Sequence, residues 1–150
     1  MTEQIGILLK NLNNDLQRYS SREAKKMGLT QVQMSIIDFL YRNQSDRALY
    51  QTDVEQEFNI QKSSATTLLQ LMEKKGLIHR VPSKTDSRYK VIQLTKKAQQ
   101  SAKRGRTFYD ATEQQLRTIL GAQSDQFIQN LEILTREMKE KLTDTKSVGR

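Results

Sequence analysis

The sequence predicts a mainly α protein: a winged helix-turn-helix lobe with a two-stranded wing, plus dimerisation helices from both chain ends. Three observations predict it. Apolar residues recur at three and four positions along most of the chain, the spacing of helices with one buried face. That period is interrupted once, between Leu77 and Leu94, where two short apolar runs flank a polar, basic stretch. Immediately before the interruption, a short helical pattern opens with small polar residues, Ser63-Ser64-Ala65-Thr66-Thr67.

The elements follow in order. Ile5, Leu8, Leu9, Leu12, Leu16 and Tyr19 form one stripe of a first helix. Gly28 ends it, as a residue that tolerates a left-handed cap. Thr30 caps a second helix, with Gln33 three residues on and Val32, Ile36, Ile37, Leu40 and Tyr41 on its buried face. Residues 42–48 carry no apolar period and form a loop. Tyr50, Val54 and Phe58 mark a short third helix that Asn59 breaks. The fourth runs from about Gln61 to Lys74, with Ala65, Leu68, Leu69 and Met72 facing inward, and Gly76 stops it.

Leu77 to Val81 then reads as a strand, Pro82 to Lys90 as a loop holding the only proline, and Val91 to Leu94 as the return strand. Thr95 caps a long fifth helix with Ala98, Ala102, Tyr109, Thr112, Leu116 and Ile119 along one side; Gly121 ends it. Ser124 caps a last helix carrying Phe127, Ile128, Leu131, Leu134, Met138 and Leu142. Residues 143–150 lack an apolar anchor and are expected to fray. The expected division is a helical dimerisation region at 1–28 and 96–142, a winged lobe at 29–95, and the tail.

Composition narrows the function classes. The chain has 150 residues, 35% of them hydrophobic, and a mean hydropathy of −0.75. So small a private core predicts helices that complete their burial against a second copy. There is no cysteine, which excludes disulfides, thiolate metal sites and thiol switches. No apolar run approaches the ~20 residues of a membrane span, and no signal peptide is recognisable, so a cytoplasmic protein is expected.

The charge is localised. Residues 61–106 carry twelve Lys and Arg against Glu73 and Asp86, a balance of +10, whereas the segments on either side are each −1. A field concentrated in one segment suits a polyanion, because neutralised phosphates release their condensed counterions. In a helix presented to a DNA groove, the polar residues Gln61, Lys62, Ser63, Ser64, Thr66, Thr67 and Gln70 would meet base edges and phosphates. The alternative for Ser63 and Ser64 is a capping role. Arg88 at the wing tip fits an A·T-rich minor groove, with Asp86 holding its guanidinium in place. Lys84 and Lys90 would touch phosphates from the wing flanks. Lys96, Lys97, Lys103, Arg104 and Arg106 fit either phosphate contact or a solvated helix face.

With these residues in view, the chain resembles the MarR family of bacterial winged helix-turn-helix transcriptional regulators over roughly residues 5–142. The segments that carry the likeness are Leu49-Tyr50-Gln51 with Val54, Ile60 to Leu69, Glu73 to Ile78 with Arg80, and Asp86-Ser87-Arg88 followed by Ile92, Leu94 and Thr95. Two positions depart from the family pattern. Thr67 stands where the family often has Arg or Lys, so no base preference carries over; Met72 stands where it usually has Leu. The resemblance implies a nucleoid-associated bacterial homodimer on a pseudo-palindromic operator. It also implies a repressor, released by a small hydrophobic or aromatic anionic effector.

Enzyme readings find no support. His79 is the single histidine and has no ligand partner at metal spacing. No nucleophile elbow, phosphate loop or dinucleotide motif is present, so no cofactor is expected. Two non-enzyme alternatives stand beside the regulator: a winged helix used for protein–protein contact, and an architectural DNA binder without sequence choice.

Overall fold

A computed structural model describes residues 2–148, with side chains through Thr143. Its elements are α1 (Ile5–Lys26), α2 (Gln31–Asn43), α3 (Gln51–Phe58), α4 (Lys62–Lys74), β1 (Ile78–Pro82), β2 (Lys90–Leu94), α5 (Lys96–Leu120), a 3-10 turn (Gly121–Gln123) and α6 (Ser124–Val148). Two glycines end helices in the same way. Gly28 (φ +72°) lets Leu29 N reach Ala24 O at 2.9 Å, and Gly76 (φ +75°) lets Leu77 N reach Met72 O at 2.9 Å. Asn59, also left-handed at φ 51°, closes α3. Thr30 and Gln33 form the expected capping box, each side chain bonded at 3.1 Å to the other's backbone N–H.

The contacts divide the chain at Phe108 into two compact units. In the first, α2 is the central helix. Met34, Ile36, Ile37, Phe39 and Leu40 are all buried, so its burial extends round the helix, where a single face of Val32, Ile36, Ile37, Leu40 and Tyr41 was expected. Val32 and Tyr41 are only half-buried; α1 and β2 both pack against α2. Ala98 and Ala102 keep α5 slim, and a Cβ added at Gly105 would lie 3.8 Å from Met34 Cγ. On α4, Ala65, Leu69 and Met72 are fully buried while Leu68 is half-buried, at the edge of the inward face.

The strands pair antiparallel, Ile78 with Leu94 through Pro82 with Lys90. Pro82 thus ends β1, where the sequence places it at the opening of the loop; in a two-stranded sheet both strands are edges, the positions that admit a proline. Thr95 caps α5, accepting from Ala98 N at 3.1 Å while its hydroxyl donates to Gly76 O at 2.8 Å. Because α1 packs on α2, the compact division falls at Phe108, whereas residues 1–28 were expected to group with 96–142.

In the second unit, Gly121 (φ +60°) ends α5 as expected, although Ile119 is 80% exposed. Ser124 does not cap α6 by accepting an N–H. Its buried hydroxyl instead donates to Gly121 O at 2.8 Å and Arg117 O at 3.1 Å. In the segment 143–150, which is expected to fray, the backbone is helical through Val148, and residues 149–150 lie outside the described residues.

Candidate DNA-binding interface

The α4 helix presents its polar face because its apolar one is committed. Burying Ala65, Leu69 and Met72 leaves Lys62, Ser63, Ser64, Thr67 and Gln70 exposed along the rest of the helix. Gln61 stands at the N-cap without a side-chain bond, and Ser63 and Ser64 lie inside the first turn, so neither serves as the cap. The first-turn N–H groups therefore remain open to an anion. Thr67 Oγ1 donates to Ser63 O at 3.1 Å.

Thr66 is placed differently from the other polar residues of α4. It is half-buried, its hydroxyl donates to Lys62 O at 2.8 Å, and it accepts from Gln51 Nε2 at 2.9 Å. Gln51 Nε2 also reaches Lys62 O at 3.3 Å. Thr66 thus ties α4 to α3. Sequence reasoning gave Gln51 no role; its partner lies fifteen residues away, on the next helix.

The wing carries the second set. Arg88 Nη2 meets Asp86 Oδ2 at 2.9 Å, and Arg88 Nε meets Asp86 Oδ1 at 3.1 Å. The Arg88 backbone N–H also donates to Asp86 Oδ1, at 3.1 Å. The Arg88 side chain is still 82% exposed. Its guanidinium, and next its backbone N–H, hold the Asp86 carboxyl below the ordinary carboxylate value, and Asp86 raises Arg88 in return. The fork is oriented yet open to solvent.

A groove of about 620 Å³ runs between α3–α4 and the wing. Lys62 and Thr66 line it from α4, and Arg88, Tyr89 and Lys90 from the wing. Lys84 is exposed but borders a different groove, between the wing and the loop before α3. Asp86 is half-buried beside its arginine. Tyr89, next to Arg88, is 60% exposed; its only mark in the sequence is an aromatic side chain inside a basic wing.

The remaining basic residues divide. Arg106 Nη1 bonds both oxygens of buried Asp38, at 2.8 and 3.0 Å, and Arg104 pairs with Glu23 at 3.2 Å. Lys75 Nζ donates to Gly28 O at 2.9 Å and to Gln33 Oε1 at 3.1 Å. These charges brace the lobe. Lys96, Lys97 and Lys103 are exposed on α5. Among the described residues no cluster of His, Cys, Asp and Glu could hold a metal ion, and no helix is long and apolar enough to cross a membrane.

Comparison with solved structures decides the family. The crystal structure of the transcription regulator MarR from Oenococcus oeni PSU-1 is 38% identical in sequence, with a TM-score of 0.81, over 91% of this chain and 99% of that one. The chain belongs to the MarR family. The MarR family model matches residues 27–88, from the end of α1 to the wing tip. Two S. aureus MepR structures share the fold over 91% of this chain and 99% of theirs. The MepR–DNA complex is 22% identical (TM-score 0.81), and MepR in its DNA-binding conformation is 23% identical (TM-score 0.82). No curated protein matches the chain. This MarR-family protein is therefore a DNA-binding transcription regulator and not an enzyme.

Proposed function

We propose that the protein is a homodimer that reads a pseudo-palindromic operator and represses transcription until a small molecule releases it. The observation that carries the DNA contact is the Asp86–Arg88 pair, which fixes a largely exposed guanidinium at the wing tip. In this reading α4 enters the major groove through Gln61, Lys62, Ser63, Ser64, Thr67 and Gln70. Arg88 enters the adjacent minor groove, with Lys84 and Lys90 on phosphates. Thr66, at the edge of the same groove, braces α4 against α3 through Gln51. S. aureus MepR, seen in complex with DNA, supports the same use of a like fold.

Dimerisation is supported by apolar side chains left in solvent at both ends of the chain. Ile5, Leu8 and Leu12 on α1 are 66%, 48% and 45% exposed. Leu134, Met138 and Leu142 on α6 are 41%, 55% and 64% exposed. Isolated, these stripes would be apolar surface of the kind that marks an interface. An effector, taken to be a small hydrophobic or aromatic anion, would act by preferring a dimer whose α4 helices are wrongly spaced for the duplex.

Sedimentation and salt titration test the reading together. A species of twice 17.4 kDa is expected at micromolar concentration. If about four to six phosphates are neutralised per subunit, the log–log salt slope should be on the order of −7 to −11. A 17.4 kDa monomer that still binds operator tightly would remove the dimer. A slope near −2 would show that the basic segment is not the contact surface.

A further inference from the structure

The two elements that would read DNA are registered to one another through two consecutive residues. Gln51 bonds α4, by its amide to Thr66 Oγ1 (2.9 Å) and Lys62 O (3.3 Å). Its neighbour Tyr50 bonds the wing: its hydroxyl shares a hydrogen bond with Ser83 Oγ at 3.1 Å. Ser83 is 8% exposed, and its oxygen also shares a 3.0 Å bond with Thr85 Oγ1 and accepts from Thr85 N at 3.3 Å. Ser83 N in turn donates to Tyr89 O at 2.8 Å, which closes the neck of the wing loop three residues before Asp86. The Tyr50 ring packs edge-on against Tyr89, with centroids 6.5 Å apart and planes at 80°.

Tyr50 is itself held. Its backbone N–H donates to Asp53 Oδ2 at 2.8 Å, and Asp53 is paired with Arg47 at 2.9 Å. The preceding carbonyl, Leu49 O, accepts from Ile92 N in the middle of β2 at 2.8 Å. A continuous path therefore runs from α4 through Thr66, Gln51, Tyr50 and Ser83 to the loop that carries Arg88. A hairpin whose stem pairs five residues per strand could swing about its base. The shared hydroxyl bond and the aromatic contact resist that swing at the tip end, close to Arg88.

We propose that Tyr50 is a positioning residue for DNA binding: its hydroxyl fixes the wing relative to α4, so that Arg88 and α4 reach successive grooves at one spacing. The proposal rests on the reading that both elements contact DNA. Its mechanism is preorganisation, since a wing already held in place loses less freedom when it binds.

Tyr50→Phe is the informative change, because it keeps the ring against Tyr89 and removes only the oxygen. The full-length protein is titrated with operator DNA in four forms: parent, Tyr50→Phe, Arg88→Ala and the double variant. Tyr50→Phe should weaken binding about fivefold, the scale of one neutral hydrogen bond. In the Arg88→Ala background the same change should cost almost nothing, because the wing no longer has a contact to position. Hydroxyl-radical footprints should lose protection at the operator flanks while keeping it at the half-site centres. Equal fivefold losses with and without Arg88, or an even fading of the whole footprint, would mean that the hydroxyl only stabilises the fold, and would overturn the proposal. A clear loss for Arg88→Ala with none for Tyr50→Phe would overturn the coupling alone. No loss for either would overturn the wing contact and the coupling with it.

Discussion

Asp38 and Asp86 each accept from an arginine guanidinium at 2.8 or 2.9 Å, yet one is 8% exposed inside α2 and the other stands on the wing. Asp38 takes Arg42 from its own helix and Arg106 from α5, sixty-eight residues away. Asp86 takes, among the described residues, Arg88 alone, two residues on, and the side chain it orients is 82% exposed. The chemistry is shared; burial separates the outcomes. A buried acid between two cations joins helices and cannot lose its partners cheaply. An exposed pair contributes little to stability, and what remains for it is to aim a charge.

The comparison breaks most visibly at Asp38. Asp38→Ala should lower unfolding stability by about 3 kcal/mol, the lower end for a broken buried pair, because both guanidinium groups retain some solvent. Denaturant melts check this, and operator affinity of the folded fraction should stay near that of the parent. A loss below ~0.5 kcal/mol would place Asp38 with ordinary surface pairs. Arg88→Ala should do the reverse. Operator binding should weaken by on the order of tenfold or more while melting and dimerisation stay unchanged, since the side chain contacts little of the protein's own body. A matching drop in stability would show that burial does not divide the two sites.

How far each site can be read from the sequence follows the same division. Asp86 and Arg88 are two residues apart, so their pairing is a local event visible in the string. The same holds for Thr30 with Gln33 and for the left-handed stops at Gly28 and Gly76, where three or four residues settle the geometry. Asp38–Arg106, Tyr50–Ser83 and Gln51–Thr66 span sixty-eight, thirty-three and fifteen residues, and no periodicity marks such partners. Arg104 and Arg106 could therefore be read as phosphate contacts or as a solvated face, and only their acids, Glu23 and Asp38, show that they brace the lobe. Thr66 matches the DNA-facing residues by type alone; its half-burial and the Gln51 bond come from tertiary packing. Ser124 follows the same rule: a serine at a helix start usually accepts an N–H, but here the turn at Gly121 offers it carbonyls.

A finer test of the exposed pair is Asp86→Ala. Simple electrostatics predicts tighter DNA binding, because an acid beside phosphates is removed. Orientation predicts the opposite: a freed Arg88 must be ordered at each binding event, which weakens binding by roughly two- to fivefold. The expected result is weaker operator binding at fixed salt in a folded dimer, smaller in size than the loss for Arg88→Ala. Tighter binding than the parent would reject the orienting role and leave Arg88 as an ordinary wing charge.

The smallest expected effect is none at all, and its size follows from the direction in which Asp86 is shifted. Arg88 lowers the Asp86 pKa. A carboxylate lowered on folding contributes above its unfolded value, and loses that contribution as the pH falls through the lowered one. Between pH 8 and pH 5 Asp86 is ionised both with and without its partner, because an unperturbed aspartate titrates near 4. The orienting pair should then be constant across that range. Other groups on the protein and the DNA do change charge there, so the quantity to follow is the ratio of operator affinities of parent and Asp86→Ala at each pH. Titrations common to both proteins cancel in it. The ratio should be flat from pH 8 to pH 5 and should close only below the ordinary aspartate range, as the lowered carboxylate is protonated and the pair with Arg88 is lost. A ratio already shrinking between pH 7 and pH 5 would mean that the group orienting Arg88 titrates well above a salt-bridged aspartate, and the wing geometry would then need another acid to explain it.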